Sequence, residues 1–298
     1  MFAAAVNHDA PSRPPPPMLG PMPDDAVLRG WVRAYLRHAP FSLAVRELNR
    51  LIAIHAIEGA EAPREPVLDV GCGDGFWWSV RGTGGHSLVG IDISRGEVER
   101  ARRHIDARVA DVAEAPPPGG PYRLLIGNCS LEHVRDIDRA LRNLRAVAAD
   151  DARLLMFVPA PQWAYQGVAQ GALLQRAPRV AMALAGALNG FFQHWHLYTL
   201  PVWQQLLQQN GWEVRGAWGV GSARSEFLFR LFLTPAFGSF LVKQAAGDYP
   251  ERALSIAPDV ALTPAEKLMR WALESPIAPV DSPHAYEYAI LASPGRAP

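Results

Sequence analysis

Short apolar segments alternate with helical patterns between Pro66 and about Val220, and this alternation limits the possible fold more than any other feature. The segments are apolar along almost their whole length, so each predicts a strand buried on both faces of a parallel sheet. They are VLDVG at 67–71, SLVGIDIS at 87–94, ARVADV at 107–112, YRLLIGNCS at 122–130 and RLLMFVP at 153–159. With two further strands at 212–220 and 285–293, the pattern predicts an α/β, doubly wound, mostly parallel seven-stranded sheet.

The rest of the chain predicts flanking and inserted segments. Residues 1–23 are rich in alanine and proline and predict a disordered tail, whereas residues 24–62 predict two helices that act as a lid. Residues 63–298 predict the main domain, with insertions at about 160–199 and 221–283. Both insertions follow strands, at the edge where a doubly wound sheet binds its ligand, so we expect a helical cap there.

Composition excludes several kinds of partner. Lys and Arg together number 29, as do Asp and Glu, so no net charge attracts nucleic acid and none is expected as a partner. The two cysteines, Cys72 and Cys129, predict reduced core residues and a cytoplasmic location. The sequence contains no run of about 18 apolar residues that would predict a membrane span. It leaves the oligomeric state open.

The first predicted strand ends in a loop with glycine at every second position, Gly71, Gly73 and Gly75. Glycine at this density lets the backbone approach a ligand closely. A dinucleotide loop has the spacing G-x-G-x-x-G, whereas Phe76 stands here at the position of the last glycine. The loop therefore predicts a ligand whose amino-acid end, and not a pyrophosphate, lies against it.

Asp69, Asp92 and Asp111 lie at the ends of the first three predicted strands. Asp92 can accept hydrogen bonds from both hydroxyl groups of a ribose, and Asp111 can accept one from the amine of adenine. Asp69 has two interpretations, since it can contact the ligand or accept from the backbone amides of its own loop. Together the three acids predict an adenosine ligand without phosphates, and S-adenosylmethionine is such a ligand.

Five segments in series resemble class I S-adenosylmethionine-dependent methyltransferases of the UbiE/type 11 kind. They are VLDVGCGDG, LVGIDIS, ARVADV, NCSLEHV and HLYTLPVWQQLLQQNGWEV, in this order along the chain. The resemblance implies a Rossmann-like fold, methyltransferase activity and S-adenosylmethionine as the cofactor. The cofactor-binding residues that it implies are Asp69, Gly71, Cys72, Gly73, Gly75, Asp92, Ile93, Asp111, Val112, Asn128 and Cys129.

Other residues near the implied cofactor have two interpretations each. His133, in LEHV, is our candidate catalytic residue as a general base, and the alternative is a structural hydrogen bond. Trp77 and Trp78 either pack on the sheet or stack on the adenine. Cys72 and Cys129 also suit the role of small core residues.

The segment FFQHWHLY predicts part of a pocket for the methyl acceptor. The residues that we expect to line this pocket are Phe191, Phe192, His194, His196 and Tyr198. His194 and His196 would share one face of a strand. We predict no metal site at these two histidines, because no acid follows them before Glu213 to supply a third ligand.

The apolar insertions predict the kind of acceptor. Val180–Phe192 carries no charge, and Phe227–Phe240 carries only Arg230. We therefore expect a small hydrophobic acceptor, such as a lipid, a prenyl compound or a natural product, methylated at oxygen, nitrogen or carbon. The alternative for Phe227–Val242 is peripheral contact with a membrane. Two other functions stay open: an NAD(P)-dependent oxidoreductase, and a membrane-docking scaffold that binds the cofactor without turnover.

Overall fold

The structure is a computed structural model that describes residues 19–59, 65–82, 87–165 and 168–295. Most of the predicted tail, residues 1–18, lies outside the described residues, as do residues 60–62 at the end of the predicted lid. Residues 19–24 are described and form neither helix nor strand.

The strands form one mixed sheet. They are β1 (Val67–Val70), β2 (Leu88–Asp92), β3 (Asp106–Val109), β4 (Tyr122–Asn128), β5 (Ala148–Pro159), β6 (Trp212–Val220), β7 (Ile277–Ala278) and β8 (Glu287–Pro294). Their order in the sheet is β3-β2-β1-β4-β5-β8-β6-β7. The five strands β1 to β5 pair in parallel, whereas β8 lies antiparallel between β5 and β6. The carboxyl ends of β1, β2, β3 and β4 consequently meet at one edge.

The predicted doubly wound α/β fold is confirmed, and two details differ. The sheet of the described residues has eight strands instead of seven. The additional strand, β7, contains only two residues paired with Gly219 and Val220, which is too short to give a periodic pattern. The sheet is also less parallel than expected, because β8 pairs antiparallel with both of its neighbours, β5 and β6.

Helices cover both faces of the sheet. They are α1 (Asp25–Leu36), α2 (Phe41–Glu58), α3 (Phe76–Arg81), α4 (Arg95–Ala101), α5 (Ile137–Ala146), α6 (Val168–Arg176), α7 (Pro178–Phe191), α8 (Leu200–Gln209), α9 (Ala223–Leu231), α10 (Leu233–Ala246) and α11 (Asp259–Ala272). Two 3₁₀ turns lie at Leu131–His133 and Pro250–Ile256. Buried side chains of α1, α2, α9 and α11 join one core cluster, and those of α5 and α8 join a second cluster.

The helix starts follow from short polar side chains that accept from free amides of the first turn. Asp24 accepts from the amide of Val27 at 2.8 Å, as its position before α1 predicts. Asp136 accepts in the same way from the amide of Arg139 at 3.0 Å and begins α5. α5 therefore begins at Ile137, after the first 3₁₀ turn.

The predicted lid helices are tied to the second insertion. Arg33 of α1 donates to Glu266 of α11 at 2.7 Å, and Arg37 donates to Asp259 at 2.6 Å. Most of α2 is buried, so it forms part of the core as well as a cover for the strand ends. That the pair opens as a lid stays a prediction.

The two insertions contribute the predicted helical segments. The first contains α6 and α7, and the second contains α9, α10, α11 and β7. Phe191 of α7 contacts two rings of α10, with centroid distances of 5.2 Å to Phe237 and 5.4 Å to Phe240. We name α7 and α10 the cap.

Candidate active site

The glycine loop after β1 adopts a backbone conformation that requires glycine. Gly71 and Gly73 have φ angles of +73° and +54°, in the left-handed region where L side chains are strained. A Cβ at Gly71 would lie 2.4 Å from the Cβ of Ser130, whereas a Cβ at Gly73 would meet no atom of the described residues within 4 Å. The amide of Gly73 donates to Oδ2 of Asp92 at 3.0 Å. Asp92 at the end of β2 thus holds the loop, and Gly73 faces open space.

The carboxyl ends of the parallel strands surround a cavity of about 750 Å³, which we name the strand-end cavity. Oδ1 of Asp92 accepts from the amide of Ser94, and Oδ1 of Asp111 accepts from the amide of Ala113, each at 2.8 Å. These bonds hold both carboxylates at the cavity wall. The predicted cofactor-binding residues that line this cavity are Gly71, Asp92, Ile93, Asp111, Val112 and Cys129.

A second space of about 320 Å³, the loop cavity, lies beside the glycine loop and shares Gly71 with the strand-end cavity. The predicted residues Cys72, Gly73 and Asn128 line it. The charged residues that line it were not identified from the sequence, and they come from distant parts of the chain: Glu47, Asp74, Glu97 and Lys243. The loop cavity therefore offers both signs of charge.

A third cavity, of about 740 Å³, lies under the cap, and we name it the apolar cavity. Its wall is almost entirely aliphatic or aromatic. The side chains of the cap that line it are Leu184, Ala187, Leu188, Phe191, Leu233, Ala236, Phe237 and Phe240. Phe192, the second predicted aromatic residue, follows α7 directly and lines the same wall.

His133 and Gln193 line both the strand-end cavity and the apolar cavity, so they form a shared wall between the two. The distance from Nδ1 of His133 to the carbonyl oxygen of Gln193 is 3.2 Å. A carbonyl oxygen can only accept, so Nδ1 carries the proton and Nε2 of the neutral ring keeps its lone pair. Burial lowers the pKa of His133, which favours this neutral form.

A comparison with models of protein families identifies the family of this chain. A family model described as a methyltransferase domain matches residues 35–216, which is more than half of the chain. The chain belongs to the methyltransferase domain family. The predicted activity is thereby confirmed, and S-adenosylmethionine is the cofactor of this methyltransferase.

Solved structures resemble the methyltransferase at low sequence identity. The [4+2]-cyclase SpnF is 17% identical, with a TM-score of 0.50 over 84% of this chain and 82% of that chain. An S-adenosylmethionine-dependent methyltransferase from Mesorhizobium loti is 13% identical, with a TM-score of 0.47 over 83% of this chain and 97% of that chain. Magnesium protoporphyrin IX methyltransferase from Synechocystis is 20% identical, with a TM-score of 0.42 and coverages of 62% and 78%. At such identities a likeness concerns the fold alone, and a search of curated proteins found no match.

The residues around the loop cavity and the strand-end cavity fit S-adenosylmethionine. Oδ1 of Asn128 is buried and accepts no hydrogen bond within the described chain, while its Nδ2 donates to Glu47 at 3.1 Å. An ammonium group could donate to this free oxygen and to Glu47, and Lys243 could bind a carboxylate. The loop cavity therefore suits the amino-acid end of the cofactor, and the strand-end cavity with Asp92 and Asp111 suits its adenosine.

The structure shows one partner for the side chain of Asp69, and its Oδ1 is buried and accepts no hydrogen bond from the described residues. Its side chain is buried, and Oδ2 accepts from Nε1 of Trp78 at 2.6 Å instead of from an amide of the loop. Asp69 lines none of the three cavities. Burial raises the pKa of this carboxyl to about 7. Asp69 thus anchors Trp78, which packs on the sheet, and the contact of Asp69 with the cofactor stays a prediction.

Gly75 likewise supports the loop without lining a cavity. Its φ is +71°, and a Cβ there would lie 3.0 Å from Cα of Ala101, so glycine allows the loop to pack against α4. Cys129, in contrast, has a φ of +51° and lines the strand-end cavity as predicted. Burial raises the pKa of its thiol, so it stays protonated at neutral pH.

Three residues predicted for the acceptor pocket do not line the apolar cavity: His194, His196 and Tyr198. The segment is an irregular loop and not a strand, so the two histidines do not share a face. Both ring nitrogens of His196 have partners, the hydroxyl of Tyr198 at 2.9 Å and the carbonyl of Val134 at 2.6 Å. His196 and Tyr198 thus stabilise the loop, whereas Trp195 lines the strand-end cavity.

Glu132 is a buried acid next to the shared wall that was not singled out from the sequence. Its side chain is 0% exposed, and neither carboxylate oxygen accepts a hydrogen bond from the described residues. Its Oε1 lies 3.6 Å from Nε2 of His133. Burial raises the pKa of Glu132 to about 8. His194 lies beside this pair, with its ring centroid 5.4 Å from that of His133.

A buried ionic cluster lies behind the site. Arg46 of α2 donates from Nε to Glu287 of β8 at 2.6 Å, and all of this pair is buried. Arg50 is 2.8 Å from Glu47 and 3.7 Å from Glu287. No sequence pattern indicated the pair of Arg46 and Glu287, because the two residues are 241 positions apart.

Proposed function

We propose that this methyltransferase acts on a small hydrophobic acceptor, lipid-like, prenyl or natural-product-like, that binds in the apolar cavity. The observation that carries the proposal is the shared wall: His133 and Gln193 separate a cofactor-sized cavity from an apolar one of similar volume. An acceptor in the apolar cavity would meet the strand-end cavity across these two residues, and the loop cavity across Leu43 and Tyr249, which line both spaces. Its attacking atom would be an oxygen, a nitrogen or a carbon, with in-line transfer of the methyl group.

The composition of the apolar cavity supports a hydrophobic ligand. The cap contributes eight apolar residues to its wall. The five lining residues with a polar group are uncharged at neutral pH, and they are Ser42, His133, Gln193, Thr234 and Tyr249. Burying an apolar ligand against such a wall stabilises the complex by about 25 cal/mol per Å². A charged acceptor would lose its hydration without gaining a partner.

The residues of the site would act mainly through alignment and exclusion of water. Bound S-adenosylmethionine supplies a methyl group that is already activated on a positively charged sulfur. The cap and Leu43 would keep water from the acceptor, and Gln193 would limit how the acceptor enters the strand-end cavity. Where the acceptor loses a proton, Nε2 of His133 is our proposed general base, since its lone pair is free.

The test uses release of S-adenosylhomocysteine from the purified chain with a panel of hydrophobic and small charged acceptors. We expect turnover only with hydrophobic ones. The double variant Phe191→Ser, Phe192→Ser should then raise the acceptor KM about tenfold or more and leave the cofactor Kd nearly unchanged. Phe227→Ser is the matched control, because Phe227 is an exposed aromatic residue that does not line the cavity.

Two results would contradict the proposal. One is turnover with a small charged metabolite and none with hydrophobic acceptors. The other is a double variant that weakens cofactor binding alone, which would make Phe191 and Phe192 core residues. A cofactor-binding scaffold without turnover would release no S-adenosylhomocysteine with any acceptor, and titration with NAD and NADP tests the oxidoreductase alternative.

Peripheral membrane contact through the cap is a second proposal, supported by its exposed apolar side chains. They are Val180, Met182 and Leu184 on α7, and Phe237, Leu241 and Val242 on α10. In the described residues no single helix has the length and apolarity needed to cross a membrane; α9 and α10 meet that test together but bend by 56°. Such a surface would take an apolar acceptor directly from a bilayer.

Flotation with phospholipid vesicles tests this second proposal. The wild-type chain should float with vesicles, and Met182→Asp with Leu241→Asp should remain at the bottom while turnover on a dispersed acceptor persists. Equal flotation of both proteins would remove the membrane proposal. A cytoplasmic location stays part of the proposal.

A further inference from the structure

We propose that Glu132, His133 and His194 bind one divalent transition-metal ion at the shared wall. One ligand atom from each of the three side chains lies within 4.8 Å of the other two. Two imidazoles and one carboxylate form a ligand set that binds Zn²⁺ and leaves a coordination position open. The sequence prediction considered only acids after His196, whereas the fold supplies the carboxylate from Glu132, 62 positions before His194.

The hydrogen bonds of the two histidines leave a nitrogen of each ring free for a metal. Nδ1 of His133 donates to the carbonyl of Gln193 at 3.2 Å. Nδ1 of His194 lies 3.5 Å from Oδ1 of Asn189, which also accepts from Nε1 of Trp163 at 2.7 Å. An indole N–H only donates, so this atom of Asn189 is the oxygen, and Nδ1 of His194 must carry a proton. Metal-bound histidines commonly use their second nitrogen in this way, which orients the ring.

Glu132 supplies the charge that a cation would need. The carboxylate is fully buried and has no hydrogen-bond donor within the described chain. The two nearby arginines already have partners, since Arg46 pairs with Glu287 and Arg50 with Glu47. Three glutamates, including Glu132, therefore face two arginines, so neither arginine is left to pair with Glu132. A buried carboxylate without a partner is costly, and a bound cation would offset that cost.

The geometry needs only a small adjustment to bind the ion. Ligand atoms of a tetrahedral zinc site lie about 3.4 Å apart. Oε1 of Glu132 and Nε2 of His133 are already 3.6 Å apart. His194 lies on an irregular loop, where a side-chain rotation can bring its nitrogen closer. The rings of Trp163 and Phe192 lie beside His194, at centroid distances of 4.9 Å and 5.7 Å, and they limit how far its side chain can rotate.

A metal at this position would change the role of His133. A nitrogen bound to metal has no lone pair for a proton, so His133 would be a ligand and not the general base. The ion would instead bind an acceptor oxygen and lower the pKa of that hydroxyl. This consequence rests on the proposed function and favours hydroxyl-bearing acceptors, whereas metal binding itself can be measured without any acceptor.

Elemental analysis of the full chain tests the inference. After removal of metals with a chelator and dialysis against Zn²⁺, the wild type should keep about one ion per chain. Glu132→Gln and His194→Gln should each weaken Zn²⁺ binding by more than the roughly 100-fold that changes outside the ligand set can cause. His284→Gln is the matched control, since His284 is exposed and lies outside the cluster. Circular dichroism and cofactor affinity check that the variants fold.

The outcomes separate this inference from the proposed function. Loss of Zn²⁺ in the two variants but not in the control supports the site. Equal Zn²⁺ content in all four proteins, or none in the wild type, overturns it even if hydrophobic acceptors are methylated. A chain that keeps Zn²⁺ through these residues but methylates no hydrophobic acceptor supports the metal site and contradicts the proposed function.

Discussion

Asp92 connects the cofactor cavity to the glycine loop through a single carboxylate. Both of its oxygens accept from backbone amides, those of Gly73 and Ser94. The variant Asp92→Ala removes these bonds together with the predicted bonds to the ribose. We expect the cofactor affinity to fall by about 2–4 kcal/mol, measured by calorimetry.

The control for this variant is Asp106→Ala, which removes an exposed acid of β3 that pairs with Arg108. Its cofactor affinity should equal that of the wild type. A folded Asp92→Ala protein with unchanged affinity would remove the ribose assignment.

The raised pKa of Asp69 predicts that the free energy of unfolding depends on pH. Burial raises its pKa to about 7 in the folded chain, whereas an unfolded aspartate has a pKa of about 4. The folded protein holds the proton more tightly, so this residue favours folding at low pH, and its contribution is lost as the pH rises from about 4 to about 7. Above pH 7 both states are ionised and the contribution no longer changes with pH.

The isosteric variant Asp69→Asn isolates this effect, because its amide oxygen can still accept from Trp78. Between pH 4 and pH 7 the free energy of unfolding of the wild type should fall relative to that of the variant. Urea titrations at several pH values measure the difference. A constant difference across this range would show that the carboxyl titrates normally.

At the scale of single residues, the sequence predicted those that follow directly from strand order. Asp92 and Asp111 end adjacent parallel strands, so their convergence needs no knowledge of side-chain packing. Glu47 and Lys243 could not be predicted, because α2 and α10 bring them to the site from distant parts of the chain. Glu132 lies next to His133, but the sequence does not show that its carboxylate is buried. The bond of Asp69 to Trp78 could not be predicted either, since nothing in the sequence shows which way the carboxylate turns.

The glycine loop provides the prediction at the scale of an element. In Gly73→Val, the new side chain would occupy the open space beside the loop, where a Cβ meets no described atom. We expect the loss of measurable cofactor binding by calorimetry, while circular dichroism shows that the sheet persists.

Gly82→Val is the matched control for backbone strain. Gly82 has a φ of +86° and also has no described atom within 4 Å of a Cβ, but it lines none of the cavities. This variant should lose stability and keep cofactor binding. If both variants bind the cofactor equally well, the loop does not face the ligand.

Elements were predicted well where hydrophobic pattern and local stop signals agree. β6 has the predicted bounds, since Asn210 and Gly211 end the preceding helix and Val220 ends the apolar run. Proline often begins a helix, so Pro264 by itself would predict a later start for α11 than the structure has. In the structure Pro264 lies inside the helix, which begins at Asp259 with an acid in its first turn.

At the scale of the whole molecule, the buried pair of Arg46 and Glu287 joins the second helix to the last strand. Arg46→Met would leave Glu287 buried with only Arg50 nearby, at 3.7 Å. We expect the free energy of unfolding to fall by about 3 kcal/mol. Urea denaturation measures the loss.

The double variant Arg46→Met, Glu287→Leu should recover most of that stability, because no charge remains without a partner. Arg123→Ala, which breaks an exposed pair with Asp151, is the control and should change stability little. Equal losses in the single and double variants would mean that packing, and not charge, holds the helix to the strand.

The position of β8 has a consequence for the synthesis of the chain. β8 is synthesised after β5 and β6, yet it lies between them and holds Glu287 against α2. Until the ribosome has added the residues of β8, one edge of β5 is unpaired and Arg46 does not yet have its partner Glu287. α2 can therefore reach its final packing beside the cofactor cavities only after β8 has left the ribosome.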